Sequence, residues 1–209
     1  TPQRDLVEAA HIVDDMDELS AAAFTSEHES GLKLLSCLPE KKLRLNVDVL
    51  PERLVALLQI YQSLYDFVIV DLPRHIDLMS AAVLENADKI SVVTQQSFPH
   101  LHDTSRLLQI LRSDLGIDSS KITIIVNRFD KSSQILIEDI ERALKMDGLV
   151  KIPNHYASTS ESVNSGVPLM DVTRRSAISK GLAEYCQSLA PTATDTTGKS
   201  ALQRLFGRS

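Results

Sequence analysis

Four apolar runs in this 209-residue chain each end in side chains that can do chemistry. Phe67, Val68, Ile69 and Val70 lead to Asp71, and Lys89–Gln95 (KISVVTQ) leads to Gln95 and Gln96. Ile122–Val126 (ITIIV) delivers Asn127, Arg128, Phe129 and Asp130 to a loop, and Leu149–Ile152 ends in Pro153, Asn154 and His155. Short continuous runs of β-branched and aromatic residues suit strands of a parallel sheet, and the carboxyl ends of such strands are where open α/β sheets bind ligands. A lone carboxylate there suits Mg²⁺, which keeps several waters and takes one or two carboxylates beside a phosphate. On its own strand Asp71 reads equally as the cap of a turn. Four polar ends on one edge favour a ligand crevice.

Helices must carry the chain between those strands. Asp5–Phe24 places Leu6, Ala9, Ala10, Ile12, Val13, Met16 and Leu19 at helical spacing, as one helix or two short ones. Leu32–Leu38 (LKLLSCL) is a predicted strand closed by Pro39, followed by a solvated loop with Lys41, Lys42 and Arg44. Pro51 opens a helix with Leu54, Leu57, Leu58, Tyr61 and Leu64 on its apolar face and Asp48 near its start. Further helices are predicted over Ser80–Ala87, Asp103–Leu115 stopped by Gly116, Gln134–Met146, Ser158–Ser165 ended by Gly166, and Arg175–Leu189. This alternation predicts an α/β fold: a mainly parallel sheet with helices on both faces.

Composition narrows the classes. At 43% hydrophobic residues the chain can bury the core of one α/β domain, and it has neither an apolar run of 18 residues nor a signal peptide. A cytoplasmic globule is the expectation. A net charge of -6 speaks against a broad nucleic-acid footprint. Cys37 and Cys186 read as small buried hydrophobes, because neither has a Cys or His at ligand spacing. His100 and His102 read as a solvated turn at a helix start rather than a metal site. Thr1 is not a start methionine, and the first residues read as the interior of a longer protein.

The segment Ala193–Ser200 (ATDTTGKS) fits a loose phosphate-loop pattern. Such a loop works by following a buried strand and opening a helix, whose N–H groups and dipole hold the phosphates. Here it follows a terminal helix and Pro191 in a polar, linker-like run, so it is rejected. The five earlier glycines stand singly.

The order of YDFVIVDLPRH, KISVVTQQS, IIVNRFD and IPNH, followed by SESVNSGVPLMDVTRRSAISKGLAEYCQSLA, resembles the MinD/ParA group of P-loop ATPases. Within that group it is most similar to the CpaE/TadZ pilus-assembly proteins of Flp-type (tight-adherence) systems. The resemblance covers about residues 5 to 190, which implies a MinD/ParA-like ATPase domain (C-terminal portion) over 1–190 and a flexible tail over 191–209. It implies that Asp71 is the Walker B acid that orders Mg²⁺ through water. It further implies that Asn127 reads the adenine edge of ATP with an amide that both donates and accepts, while Arg128 and the Pro153–Asn154 backbone flank the base. The family's phosphate loop, with its two lysines, and its first strand have no counterpart in these residues. Without those donors the charge of a triphosphate is uncompensated, so this chain alone is expected not to turn over ATP.

A second resemblance lies at the end. KSALQRLFGRS sets Leu202, Leu205 and Phe206 beside Lys199, Arg204 and Arg208 and is similar to the membrane-targeting tail of MinD; the alternative is a solvated tail. Together these features imply a parent protein that positions pilus or secretion machinery by ATP-dependent dimerisation. It would be cytoplasmic or peripheral at the inner membrane or cell pole, with surface contact through residues 199–209. The alternative is a non-hydrolysing scaffold with a degenerate nucleotide site. A third reading, a ligase of the dethiobiotin synthetase kind, needs a small-substrate pocket that nothing in Gln95–His102 suggests.

Overall fold

The structure, a computed structural model, describes residues 5–37 and 49–189. The basic loop at Lys41, Lys42 and Arg44, the capping charge of Asp48, the Ala193–Ser200 segment and the tail over 199–209 lie outside the described residues. The chain divides between Ala87 and Asp88 into two compact units.

In the first unit, side-chain caps set where the short helices begin. Asp5 accepts from the Glu8 N–H at 3.0 Å and starts α1 (Leu6–His11). Asp17 and Ser20 form a reciprocal capping box, at 2.8 and 3.0 Å, that starts α2 (Glu18–Ala22). A single turn of 3₁₀ helix, Val13–Asp15, separates them, so the amphipathic stretch is two helices. Beyond α2 a small antiparallel hairpin pairs β1 (Ser26–Glu27) with β2 (Lys33–Leu34), turning at Gly31 with φ +87°. The longer strand expected over Leu32–Leu38 is therefore these two residues among those described.

Helix α3 (Pro51–Leu64) begins at its proline, whose missing N–H is an orphan of the first turn in any case. It buries Leu54, Leu57 and Tyr61 against Val7, Ala9, Ala10 and Ala21, and the Tyr61 hydroxyl donates to the Ala21 carbonyl at 3.0 Å. Helix α4 (Leu78–Asn86), capped by Asp77, adds Met79 and Val83 to the same core.

The run Phe67–Val70 departs from the expected strand buried on both faces. Val68 and Leu72 pack on the helical core, whereas Phe67, Ile69 and Val70 are 39%, 88% and 41% exposed. No described strand pairs with this run. An extended segment becomes a ladder strand only when another backbone lies beside it to exchange N–H···O=C bonds, and apolarity cannot supply that neighbour.

The second unit is built on a parallel sheet in the order β3 (Ile90–Thr94), β4 (Ile122–Phe129), β5 (Val150–Pro153). Ile90 pairs with Ile122 and Thr94 with Val126; on the other side Ile125 pairs with Val150. Alternation along β3 divides the two faces. Ile90, Val92 and Thr94 are buried beneath α5 (Phe98–Gln109), where the Thr104 hydroxyl bonds the Thr94 hydroxyl at 2.9 Å. Ser91, on the opposite face, bonds the Tyr185 hydroxyl of α9 (Ala177–Leu189). Ile125, Ile152 and Ile178 form the core under α9. Gly181 lets that helix sit close on β5: a Cβ there would lie 3.3 Å from Pro153 Cδ and 3.4 Å from the Lys151 carbonyl oxygen. Helices thus cover both faces of a parallel sheet, as the strand–helix alternation predicts.

Element boundaries moved for local reasons. Helix α5 starts at Phe98 instead of Asp103, because Pro99 fits a first helical turn. It runs into a π turn over Ile110–Asp114 before Gly116, at φ +65°. Helix α6 (Ile137–Leu144) is shorter than Gln134–Met146, since Asp139 accepts from the Leu136 N–H at 3.2 Å and sets its start. Helix α7 (Tyr156–Ser165) ends at Gly166, and a short α8 (Leu169–Val172) precedes α9. Cys37 packs half-buried on the first core, but Cys186 is exposed on α9, which corrects its reading as a buried hydrophobe. Its place on a helix gave no sign of which face it occupies.

Candidate functional site

Among the second unit's strand ends, the distinguishing feature is a bulge. Val126 pairs with Lys151 and Phe129 with Pro153, so two residues of β4, Asn127 and Arg128, oppose the single Ile152 of β5. A bulge bends the strand and re-aims its side chains, and bulges gather near active sites although they are rare in parallel pairs. Arg128 adopts φ +52°, the left-handed region that an L side chain enters at a cost. The polar residues expected in a loop are thus the last part of the strand itself. Their polarity concealed a ladder that continues through Phe129.

The bulge gathers four of the expected site residues on one edge. Asn127 is half-buried, and its Oδ1 accepts from the Arg128 N–H at 2.9 Å, which leaves its two N–H donors for a ligand. Arg128 is exposed with its guanidinium available. Pro153 closes β5, where a residue without an N–H is tolerated because β5 is an edge strand, and the Asn154 N–H donates to the Phe129 carbonyl at 3.3 Å. Asp71 belongs to the first unit. It is exposed after the extended run, and the nearby helix-capping role falls to Asp77, which accepts from the Ser80 N–H at 2.8 Å. Among the described residues no group of three His, Cys, Asp or Glu side chains could hold a metal ion. A single carboxylate nonetheless fits a Mg²⁺ that keeps most of its waters.

Sequence reasoning gave Gln96 no role beyond a polar strand end, yet it links the site to the neighbouring strand. Its Oε1 accepts from the Asp130 N–H at 2.7 Å, and its Nε2 donates to the Ile135 carbonyl at 2.9 Å. Asp130 accepts from the Ser132 N–H and hydroxyl at 2.8 and 2.7 Å, which holds its carboxyl below the usual carboxylate range. A cleft of about 250 Å³ opens here, lined by Gln96, Phe129, Asp130, Lys131, Glu138 and Lys151. A larger groove of about 520 Å³ lies between α5 and α6, lined by Phe98, Leu101, His102, Gln134, Ile135 and Ala143. His100 and His102 stand in the first turns of α5 rather than in a turn, and the His100 Nδ1 meets the Ser97 hydroxyl at 2.5 Å.

The residues present fit part of a nucleotide site. Amide donors, a guanidinium and backbone groups at a strand edge suit a heterocyclic base. The described glycines at 31, 116, 148, 166 and 181 stand singly, so the described residues offer no glycine-rich cradle for phosphates.

No family model matches the chain. In sequence it is similar to the septum site-determining protein MinD of Thermotoga maritima, 27% identical over 163 residues, which is 76% of this chain and 59% of that protein. The chain therefore spans less than two thirds of that relative's length. In structure it is similar to a ParA family ATPase from Chlorobium tepidum, with a TM-score of 0.81 and 29% identity over 90% of this chain and 78% of that one. It also shares its fold with Pyrococcus horikoshii MinD complexed with Mg-ADP, with a TM-score of 0.68 and 19% identity over 88% of this chain and 74% of that one. The chain is thus similar to MinD in sequence and to ParA and MinD proteins in fold, and the septum-site and ATPase roles belong to those proteins in their own right.

Proposed function

We propose that this chain carries the base-binding and Mg²⁺-acid portion of a MinD/ParA-type positioning ATPase. The reading rests on one observation: the bulge opposite Ile152, which sets the Asn127 amide, the Arg128 guanidinium and the Pro153–Asn154 backbone on a single sheet edge. Asn127 donates to acceptor atoms of the adenine, Arg128 and the Pro153–Asn154 backbone flank the ring, and Asp71 holds the hydrated ion. Bound Mg²⁺–ATP would supply the triphosphate whose binding drives dimerisation. The closeness of VDLPRH, KISVVTQQS and IIVNRFD to CpaE/TadZ proteins supports a finer assignment, in which the homodimer positions Flp-type pilus or secretion machinery.

Calorimetry with ATP and Mg²⁺, on this chain and on a version extended upstream, tests the reading. The extended protein should bind, with Asn127→Ala weakening affinity about tenfold, the loss of one to two hydrogen bonds at about 1 kcal/mol each. Failure of both forms to bind would replace the ATPase with the non-hydrolysing scaffold.

A further inference from the structure

We propose that Gln96 is a positioning residue for the base site, tying the Asp130–Ile135 loop to the end of β3 so that the Asn127–Arg128 bulge keeps its shape. The inference rests on the nucleotide reading above and names a residue that acts through others. Both halves of the Gln96 amide are committed to protein, the oxygen to the Asp130 N–H and the nitrogen to the Ile135 carbonyl. These two bonds fix the orientation of the Gln96 side chain between the end of β3 and the loop.

The loop it holds is stiff within itself. Asp130 accepts twice from Ser132, the Ser133 N–H donates to the Asp130 carbonyl at 3.2 Å, and the Ile135 N–H donates to the Ser133 hydroxyl at 3.2 Å. Among the described residues, the hydrogen bonds from this loop to another element are the two to Gln96. The loop therefore moves as one piece unless Gln96 anchors it. Arg128 makes the anchor matter. A residue at φ +52° relaxes to an ordinary strand conformation unless its surroundings over-determine it. The residues that follow it are fixed from two sides: Asn154, just after β5, donates its N–H to the Phe129 carbonyl, and Gln96, just after β3, accepts from the Asp130 N–H. Releasing one side lets the bulge slide, and the Asn127 donors then lose their fixed direction toward the base.

The test uses Gln96→Ala and Asn127→Ala in the upstream-extended protein, with Mg²⁺–ATP and Mg²⁺–GTP as probes. For Gln96→Ala, ATP affinity should fall about tenfold and the ATP-to-GTP preference should narrow, the effect of two lost hydrogen bonds on orientation. Hydrogen exchange at the Asp130 amide should quicken, while the thermal midpoint stays near that of the wild type. An unchanged affinity and preference in Gln96→Ala, with both lost in Asn127→Ala, would overturn the positioning role and leave the nucleotide reading intact. Equal loss of both nucleotides with a collapsed thermal midpoint would also overturn it, as a merely structural role. A wild type that binds neither nucleotide would remove the nucleotide reading and this inference together.

Discussion

Replacing Arg128 by glycine should stabilise the protein while damaging its site. Arg128 sits at φ +52° in a two-for-one bulge, and its side chain is exposed, so little packing is lost with it. An L residue in the left-handed region costs about 1–2 kcal/mol, and glycine avoids that cost at the expense of about 0.5–1 kcal/mol of backbone entropy. The net gain is about 0.5–1 kcal/mol, which for a chain of this length raises the thermal midpoint by about 1–4 °C. Arg128→Ala supplies the control, because it removes the same guanidinium but keeps the strained backbone. Its midpoint should stay within about 0.5 kcal/mol of the wild type, the usual range for exposed positions. Urea and thermal melts of the three proteins read the difference between glycine and alanine, which isolates the backbone. Nucleotide titrations should show both variants weakened alike. A glycine variant that melts at or below the alanine variant would refute the claim that Arg128 stores strain.

Four other outcomes are expected. Burial pushes the Tyr61 phenol up to about 12; it is protonated in both states below pH 10, and between pH 10 and 12 only the unfolded chain ionises. Stability should therefore fall by about 2–3 kcal/mol across that window, and the loss should be absent from Tyr61→Phe when urea midpoints are compared. Leu57, fully buried on α3, should cost about 2–5 kcal/mol when cut to alanine, and a loss below 1 kcal/mol in urea melts would show a loosely packed first core. Thr104→Val leaves the buried Thr94 hydroxyl without its partner from α5 and should cost about 1–3 kcal/mol, whereas a neutral melt would show that water replaces that bond. The proposed surface contact of residues 199–209 predicts that Leu205→Glu lowers co-sedimentation with anionic vesicles, and unchanged sedimentation would remove that contact.

What the sequence disclosed was mostly local. The strand at Ile90–Thr94, proline at the start of α3 and glycine after α5 and α7 were readable because each is decided within a few residues. The polar residues at the carboxyl ends of β3, β4 and β5 were readable for the same reason, whereas the fourth expected end, at Asp71, belongs to no described strand. Phe67–Val70 shows the limit: its composition suits a strand, but a ladder needs a backbone that sequence-local reasoning cannot place. The bulge at Asn127–Arg128 depends on the pairing of β4 with β5, so neither strand alone reveals it. Gln96 was visible as a polar strand end, but its partners lie 34 and 39 residues away, and nothing near it in the chain announces them.

The central claim is that the edge around Asn127, Arg128, Pro153 and Asn154 is a base-binding surface. Amide chemical-shift mapping tests it most directly, by titrating Mg²⁺–ATP into ¹⁵N-labelled protein extended upstream. The account predicts that the largest shifts fall on residues 127–130 and on Asn154, and that Asn127→Ala suppresses them. Shifts confined to the groove between α5 and α6, around Leu101, His102 and Ala143, would contradict it.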